Sequence, residues 1–577
     1  MQKLMKKQTG ITLVALIVTV IVLILLAGIS LNVTIGENGI ITQAQRAKNE
    51  TAQRQKEELG GLASLEQQID EATGKTYNID KGVNKPRLAE GMKAIKFTNP
   101  SESAKGELQN SNENDTDWYD YNSKKWANSQ TEDGSMWVWI PRYAYKVNDN
   151  QTFDIKFLIG TTDNYYDENG QIQTAKRCNS VDENVDTSIG YTVHPAFTDE
   201  TAISYRNGGW DKELTGIWVA KFEAGYASGN NSATVKASSV SYTQSTAWVK
   251  AVERGQSADG SENARNWLDG IYGETVTTIK YPTFQGTTYS MNYINHNDAY
   301  NIAKAMTESG NIYGLNSGTD SHLMKNSEWG AVAYLSQSKY GLGTTEVAIN
   351  NISLNSGGAA RTEIVEKSGV ESVYAVTGCT TGTNNAGEKI TTITNINSTT
   401  ANTAVDGVYT WNQLNGTKAS SSGTIYGIYD LSGGTWERTA TYVANGNDNL
   451  KNYASSIAYD RNTLKTVSTK YATTYPFDST TDNSSIASND VNLNTASANN
   501  YKKNALIYGD GIHETSTAGT GNTSWYSDYS CYPGLNYSLS IRGGSLWNGL
   551  IAGLFSFTRN TGNGGYNDGF RTVLIVS

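Results

Sequence analysis

Arg542-Gly-Gly-Ser-Leu-Trp-Asn-Gly549, then Ala552-Gly-Leu-Phe555, then Gly569-Phe-Arg571 near the C-terminus, form a frame of glycines and aromatics. Glycine pairs let the backbone pass close to a neighbour or adopt positive φ. Trp547, Phe555 and Phe570 are predicted to be buried anchors, because large aromatic rings dominate core energetics. Within this frame Leu546, Asn548, Leu550, Ile551, Ser556, Thr558, Asn560, Tyr566, Asn567 and Asp568 follow neither a helical nor a strand period. A fixed frame around unpatterned residues predicts a scaffold that presents a surface. These residues are the expected ligand-binding face, mixing apolar contact area with adaptable Asn and Asp hydrogen bonding.

The frame Arg-Gly-Gly-Ser followed by Gly-Phe-Arg resembles the C-terminus of the formylglycine-generating-enzyme family, which has a C-type-lectin-like fold. Ala552-Gly-Leu-Phe555 and the Asn/Gly/Thr/Tyr-rich run after it are closer to a subset of that fold. They resemble the variable region of proteins diversified by retroelements, where adenines of asparagine codons are randomised. Such codons cannot give Trp, Met, Lys, Gln or Glu, and between Ser545 and Asp568 only Trp547 belongs to that set. An ordinary loop of the enzyme-like fold is the other reading of the stretch.

The chain has 577 residues, too many for one ordinary core. With 56 Gly, only 7 Pro and 35 Tyr, it predicts a loop-rich body containing strands and aromatic clusters. A net charge of −10 argues against a nucleic-acid partner, whose phosphates need a basic face. Cys178, Cys379 and Cys531 match no zinc spacing and make no full disulfide framework. His194, His296, His322 and His513 are scattered and imply no metal cluster.

Lys3, Lys6 and Lys7 precede an uncharged, mainly apolar run from Ile11 to Leu31. At roughly 1.5 Å per residue that run reaches about 30 Å, enough to span a bilayer once. The lysines place the N-terminus in the cytoplasm and the bulk of the chain at the cell surface. Lys6-Lys7-Gln8-Thr9-Gly10 followed by Ile11-Thr-Leu-Val-Ala-Leu16 resembles the leader of type IV prepilins, which implies cleavage between Gly10 and Ile11 and assembly with other pilus subunits. The family's usual glutamate at the fifth mature position is Ala15 here, so a minor pilin, a tip subunit or a plain membrane anchor fits equally well.

Residues 32–74 read as a stalk helix, with Leu59, Leu62, Leu65 and Ile69 at helical spacing. Residues 75–133 are polar and read as a linker or a small module, and 134–577 as the body, ending in the variable segment 542–574. Met136-Trp-Val-Trp-Ile-Pro-Arg-Tyr-Ala-Tyr145 predicts a strand with both faces occupied. Ile217-Trp-Val-Ala-Lys-Phe-Glu223 predicts a second strand, similar to an early strand of the enzyme family's fold. Asn297 to Met306 matches that fold's first helix, and His322 to Tyr334, with Glu328-Trp329, resembles its second, capped by Asn326 or Ser327. Thr380 to Ala404 and Asn445 to Asn522 read as long surface loops. The expected class is thus α+β: a transmembrane and stalk helix followed by a C-type-lectin-like body with long insertions.

The enzymes of the family use a cysteine pair that binds copper, and the register of the frames puts those positions near Ala552 and Ser556. Neither is Cys, and thiolate chemistry needs a thiol. Glu223, Glu328 and Glu437 read as structural hydrogen-bond acceptors, so no enzyme and no catalytic residue is expected. Gly427-Ile-Tyr-Asp-Leu-Ser-Gly-Gly-Thr-Trp-Glu-Arg-Thr439 resembles the family's calcium-binding segment. Carried over by position, it implies oxygens from Asp430 and Glu437 with carbonyls from Gly433 and Thr435 around Ca2+. Two hard carboxylates brought together by a glycine-rich turn suit such a cage, and hydrogen bonding to the turn's own amides is the alternative. The leading functional expectation is a surface-displayed protein that binds a protein or glycan ligand. A structural pilus subunit and a sulfatase-modifying-type enzyme are the other classes.

Overall fold

The computed structural model describes residues 83–177, 190–199, 209–226, 282–286, 289–291, 294–350, 366–367, 370–371, 377, 379–380, 409–444, 448–457, 469–476, 493–505, 507–545, 548, 551–564 and 567–576. All of them belong to the unit Glu66–Ser577. The leader with its Gly10–Ile11 cut, the membrane segment and the stalk lie outside the described residues, as do Leu546, Trp547, Leu550 and Tyr566. Among the described residues no helix is long and apolar enough to cross a membrane.

The body is mixed α+β, with many strands and few helices. In chain order its main strands are β1 (Lys93–Phe97), β2 (Leu108–Asn110), β3 (Asn128–Gln130), β4 (Met136–Pro141), β5 (Tyr143–Asn148), β6 (Thr152–Phe157), β7 (Thr192–Val193), β8 (Gly216–Ala220) and β9 (Thr319–Leu323). After these come β10 (Trp436–Val443), β11 (Thr473–Tyr475), β12 (Thr520–Gly521), β13 (Ser530–Cys531), β14 (Leu539–Arg542), β15 (Phe557–Asn560), β16 (Asp568–Phe570) and β17 (Thr572–Val576). The helices are α1 (His296–Ala305), α2 (Asn326–Ser336), α3 (Asp448–Tyr453) and α4 (Leu493–Lys503).

One sheet runs β9-β17-β8-β4-β3-β1-β2, so the last strand of the chain sits inside it, between β8 and β9. A second runs β11-β10-β14-β15-β13-β12, with β16 also paired to β10. The frame residues are thereby split. Arg542 ends β14 of the second sheet, whereas Arg571 links β16 of that sheet to β17 of the first.

Every residue of β4 is buried, as expected of a strand with both faces covered. Trp137 packs on Phe284 at 5.1 Å and Trp139 on Trp218 at 5.2 Å between ring centroids. The stretch expected as one strand is two, however. Pro141 cannot donate to a ladder, and Arg142 turns aside to Asp163 at 2.8 Å and Glu213 at 2.6 Å, so β5 enters a separate sheet, β6-β5-β7.

The linker reading of 75–133 is corrected from residue 83 onward. β1, β2 and β3 extend the first sheet, and Trp118 and Trp126 are fully buried, their indole N–H groups bonded to Asn128 O and Tyr340 O. The polar composition hid a few aromatic anchors that do the packing. Asn445 to Asn522 is likewise no mere surface loop. Its described parts include α3, β11 and α4, and Tyr475, Ile507 and Ile512 share a core cluster with Tyr532 and Phe557. Of Thr380 to Ala404, all but Thr380 lies outside the described residues.

In α1, Ala299, Ile302, Ala303 and the C-terminal Met306 are buried, the face expected from the spacing. Asn295 caps it by accepting from Asp298 N at 2.9 Å. The second helix starts later than expected, because His322 and Leu323 belong to β9. Its cap is Lys325, whose backbone N–H donates to Glu328 at 2.8 Å, and not Asn326 or Ser327. An acidic residue reaching back over the first turn serves that end of the helix.

Candidate functional site

The C-terminal segment begins at a buried arginine. Arg542 donates from its two terminal nitrogens to the carbonyls of Asp510 and Gly511, at 2.9 and 3.0 Å, and lies over the Trp329 ring. Burial lowers its pKa to about 10. Gly543 and Gly544 then turn the chain at φ +87 and +77°, a region that residues with a Cβ rarely enter. Ser545 donates from both N and Oγ to Asn548 Oδ1 at 2.8 Å, closing a tight turn.

The next contact is with the turn Ser524–Tyr529. Tyr529 N donates to Ile551 O at 3.0 Å, and Phe557 N donates to Tyr529 O at 2.9 Å. Asp528 Oδ2 accepts from Phe555 N at 2.9 Å. Phe555 itself is buried, its ring at 5.2 Å from Trp525.

The far arm of the segment is held by a second arginine, which the sequence reading passed over. Arg438 on β10 donates from Nε to Ile294 O at 2.8 Å, from Nη1 to Asn560 Oδ1 at 3.0 Å and from Nη2 to Asp568 Oδ2 at 2.8 Å and to Asn563 O. Asn560 Nδ2 also donates to Asp568 at 3.1 Å, and Gly562 N donates to Asn560 Oδ1 at 2.7 Å. One guanidinium thus ties the end of β15, Asn563 and the start of β16 to the residues just before α1. Burial lowers the pKa of Arg438, opposed by Asp568, and raises that of Asp568, opposed by Arg438. The sequence signal was an arginine inside a strand every one of whose residues is buried. Such a charge needs acceptors on all sides.

These contacts divide the expected binding face. Asn548, Ile551, Thr558 and Asn567 are partly exposed. Ser556 is fully buried, with its hydroxyl near the Tyr529 and Ile551 carbonyls. Asp568 is buried and ion-paired, and Asn560, partly exposed, is committed to Arg438. The assignment of Ser556, Asn560 and Asp568 to an exchangeable surface is therefore corrected: they are framework. Sequence period could not reveal this, because the partners come from β10 and from distant turns.

Behind the segment lies the motif expected to hold calcium. Glu437 does not face an empty cage. Both of its oxygens accept from Arg571, at 2.9 and 2.6 Å, and Arg571 also donates to Ala220 O and Tyr429 O at 2.7 Å. Asp430, at φ +64°, accepts from Asn350 Nδ2 at 3.0 Å. Glu223 accepts from Thr435 N at 2.7 Å and from the Ser290 hydroxyl. Burial, then the nearby charges of Asp430 and Glu437, push the Glu223 carboxyl well above the usual carboxylate range. The pKa of Arg571 is raised in spite of burial, by Glu437, Asp430 and Glu223.

The guanidinium thus takes the place at Glu437 that a cation would otherwise fill. Burial and the charges of Asp430 and Glu437 favour a proton on Glu223, and a bound cation would favour its carboxylate instead. The carbonyls of Gly433 and Thr435 stand in the same turn. Glu328 is engaged by His322 at 2.9 Å and by Lys325 N, so all three glutamates singled out in the sequence act as hydrogen-bond acceptors. Among the described residues no group of three or more His, Cys, Asp or Glu side chains is arranged to hold a metal ion.

No model of a known protein family matches the chain, and no curated protein matches it either.

Proposed function

We propose that this is a surface-displayed binding protein, with a C-type-lectin-like body whose C-terminal segment recognises a protein or glycan ligand. The N-terminal leader, membrane helix and stalk form its anchor, either as a single-pass membrane protein or in a type IV pilus-like filament after cleavage at Gly10. The observation that carries the reading is the division of labour within the segment. Buried Arg542, Arg438 and Arg571 hold its two ends and its 560–568 connection, while Asn548, Ile551, Thr558 and Asn567 stay partly exposed. A rigid frame under an irregular, mixed polar and apolar surface is how binding loops limit the entropy lost on association. With Leu546, Leu550 and Tyr566, these exposed residues are the diversifiable positions.

In this reading calcium is a structural tenant near Asp430 and the Gly433 and Thr435 carbonyls, and no catalysis is assigned. A structural pilus subunit would need no such division between frame and surface. The test is a display library randomised at Leu546, Asn548, Leu550, Ile551, Thr558, Tyr566 and Asn567 and left unchanged elsewhere. Most members should fold, and selection against unrelated proteins and glycans should yield binders. A library that mostly misfolds, or that folds and yields none, would sink the reading.

A further inference from the structure

The Ser524–Tyr529 turn, which supports the segment at Ile551 and Phe555, is built at a cost. Tyr526 and Ser527 are consecutive non-glycine residues in the left-handed region, at φ 59 and 67°. Such a conformation is strained for a residue with a Cβ and persists only where its surroundings over-determine it. Here the constraints are Trp525 N to Thr515 O at 2.7 Å, Tyr529 N to Ile551 O, and the Asp528 carboxyl.

Asp528 is 1% exposed. Its Oδ2 takes the Phe555 N–H, and its Oδ1 is buried with no hydrogen-bond partner. The backbone of Gly553 lies directly against the carboxyl, so closely that a Cβ there would collide with both oxygens. Among the described residues, three titratable or charged groups face this acid. Glu346 comes from the segment after α2, Tyr526 from the same turn, and Arg542 from β14. Arg542 has already committed its terminal nitrogens to Asp510 O and Gly511 O.

We propose that Asp528 is a proton-dependent clasp: as a neutral carboxyl it seals Gly553–Phe555 onto the Ser524–Tyr529 turn, and as a carboxylate it releases that stretch. A carboxylate sealed with one N–H donor and one orphaned oxygen lacks the hydration it needs. Lifting the Gly553–Phe555 backbone admits water to it, and the strain at Tyr526 and Ser527 favours the same movement. Burial, opposed by Phe555 N–H and Arg542, places the Asp528 transition at about 8, and burial followed by the Asp528 charge places that of Glu346 at about 9. The clasp is closed at neutral pH and opens as the solution becomes alkaline.

The clasp regulates the same segment and for its biological use rests on the binding-face reading. Its chemistry can be tested on the protein alone. Amide exchange is followed by mass spectrometry from pH 6 to 9.5, corrected for intrinsic rates, for peptides spanning 551–557 and for β4 as reference. Protection of 551–557 should fall about tenfold per pH unit above the transition while β4 stays constant, because each unit above a pKa shifts the equilibrium tenfold. Asp528→Asn, a neutral isostere, should give a pH-independent profile. A flat wild-type profile, or the same loss in Asp528→Asn, would overturn the proposal. Should that variant not fold, infrared spectroscopy with Asp528 intact serves instead. Measured in the Glu346→Gln/Glu514→Gln background, which removes the two other carboxyls that titrate in this range, the C=O band of buried neutral carboxyl should weaken between pH 7 and 9.5, and an unchanged band would equally overturn it. Failure of the clasp leaves the binding face standing, and a face that binds nothing leaves the clasp standing.

Discussion

Arg571 donates from Nε and Nη2 to the two oxygens of Glu437, and both side chains are sealed from solvent. The pair joins the Gly-Phe-Arg end of the frame to the Trp-Glu motif of β10, and through Ala220 O it reaches β8 in the other sheet. It is a fork-to-fork ion pair, the geometry that best offsets the desolvation of two charges.

Removing one partner should therefore be far worse than removing both. Arg571→Met should cost about 3–5 kcal/mol, since Glu437 is left buried and unpaired. Adding Glu437→Gln to Arg571→Met should recover part of that loss. Denaturant unfolding of the two variants checks it, and strictly additive losses would show that the two side chains act independently.

Arg438→Met should loosen the connection between β15 and β16, residues 560–568, before it unfolds the body. Three of its hydrogen bonds serve Asn560, Asn563 and Asp568, and only one serves Ile294. Faster amide exchange confined to 560–568, with a loss of about 3–5 kcal/mol overall from stranding Asp568, is the expected result. Unchanged exchange in that connection would mean that the pairing of β15 and β16 with their own sheet neighbours alone holds it.

Single alanine substitutions should separate frame from surface. At Ile551, Thr558 and Asn567 the change in stability should stay near 0.5 kcal/mol, and at Asn548, which accepts from Ser545 N and Oγ, it should reach about 1 kcal/mol. Phe570→Ala and Phe555→Ala should each cost about 3–5 kcal/mol, because both rings are fully buried. Thermal or urea unfolding resolves the two groups. Losses of similar size in both would place the exposed set in the core.

Calcium should stabilise the body if a cation binds at the turn that gathers Glu223, Asp430 and Glu437. A ligand at 100 times its Kd adds about 2.7 kcal/mol. The melting temperature in calcium and in chelator measures this, and Asp430→Asn should abolish the difference. Equal melting in both would return the motif to a purely structural turn.

Glu514 offers a pH dependence away from that motif. It accepts from Tyr145 Oη at 2.9 Å and from Gly509 N, and burial, then the charge of Asp510, raises its pKa to about 7. A carboxyl raised in the folded state contributes stability fully present below its unfolded value, about 4.3, and lost as pH rises through the folded value. Wild type should thus lose stability relative to Glu514→Gln between about pH 4 and 7. Denaturant midpoints of both proteins across that range decide it, and parallel curves would refute it.

The sequence by itself determined that strands begin near Met136 and Ile217, the apolar face of α1, and the burial of Phe555 and Phe570. Each follows from local period or from the size of a ring, which adjacent residues reveal. It also marked the Arg-Gly-Gly-Ser and Gly-Phe-Arg ends as fixed points. Only the tertiary structure decided that Ser556, Asn560 and Asp568 are framework, that Glu437 meets Arg571, and that the polar stretch after residue 83 extends a sheet. Those outcomes depend on partners far apart in the chain, such as Arg438 with Asn560 and Asp528 with Phe555. A buried charge or amide takes its role from whichever donor the fold brings to it, and no local pattern encodes that pairing.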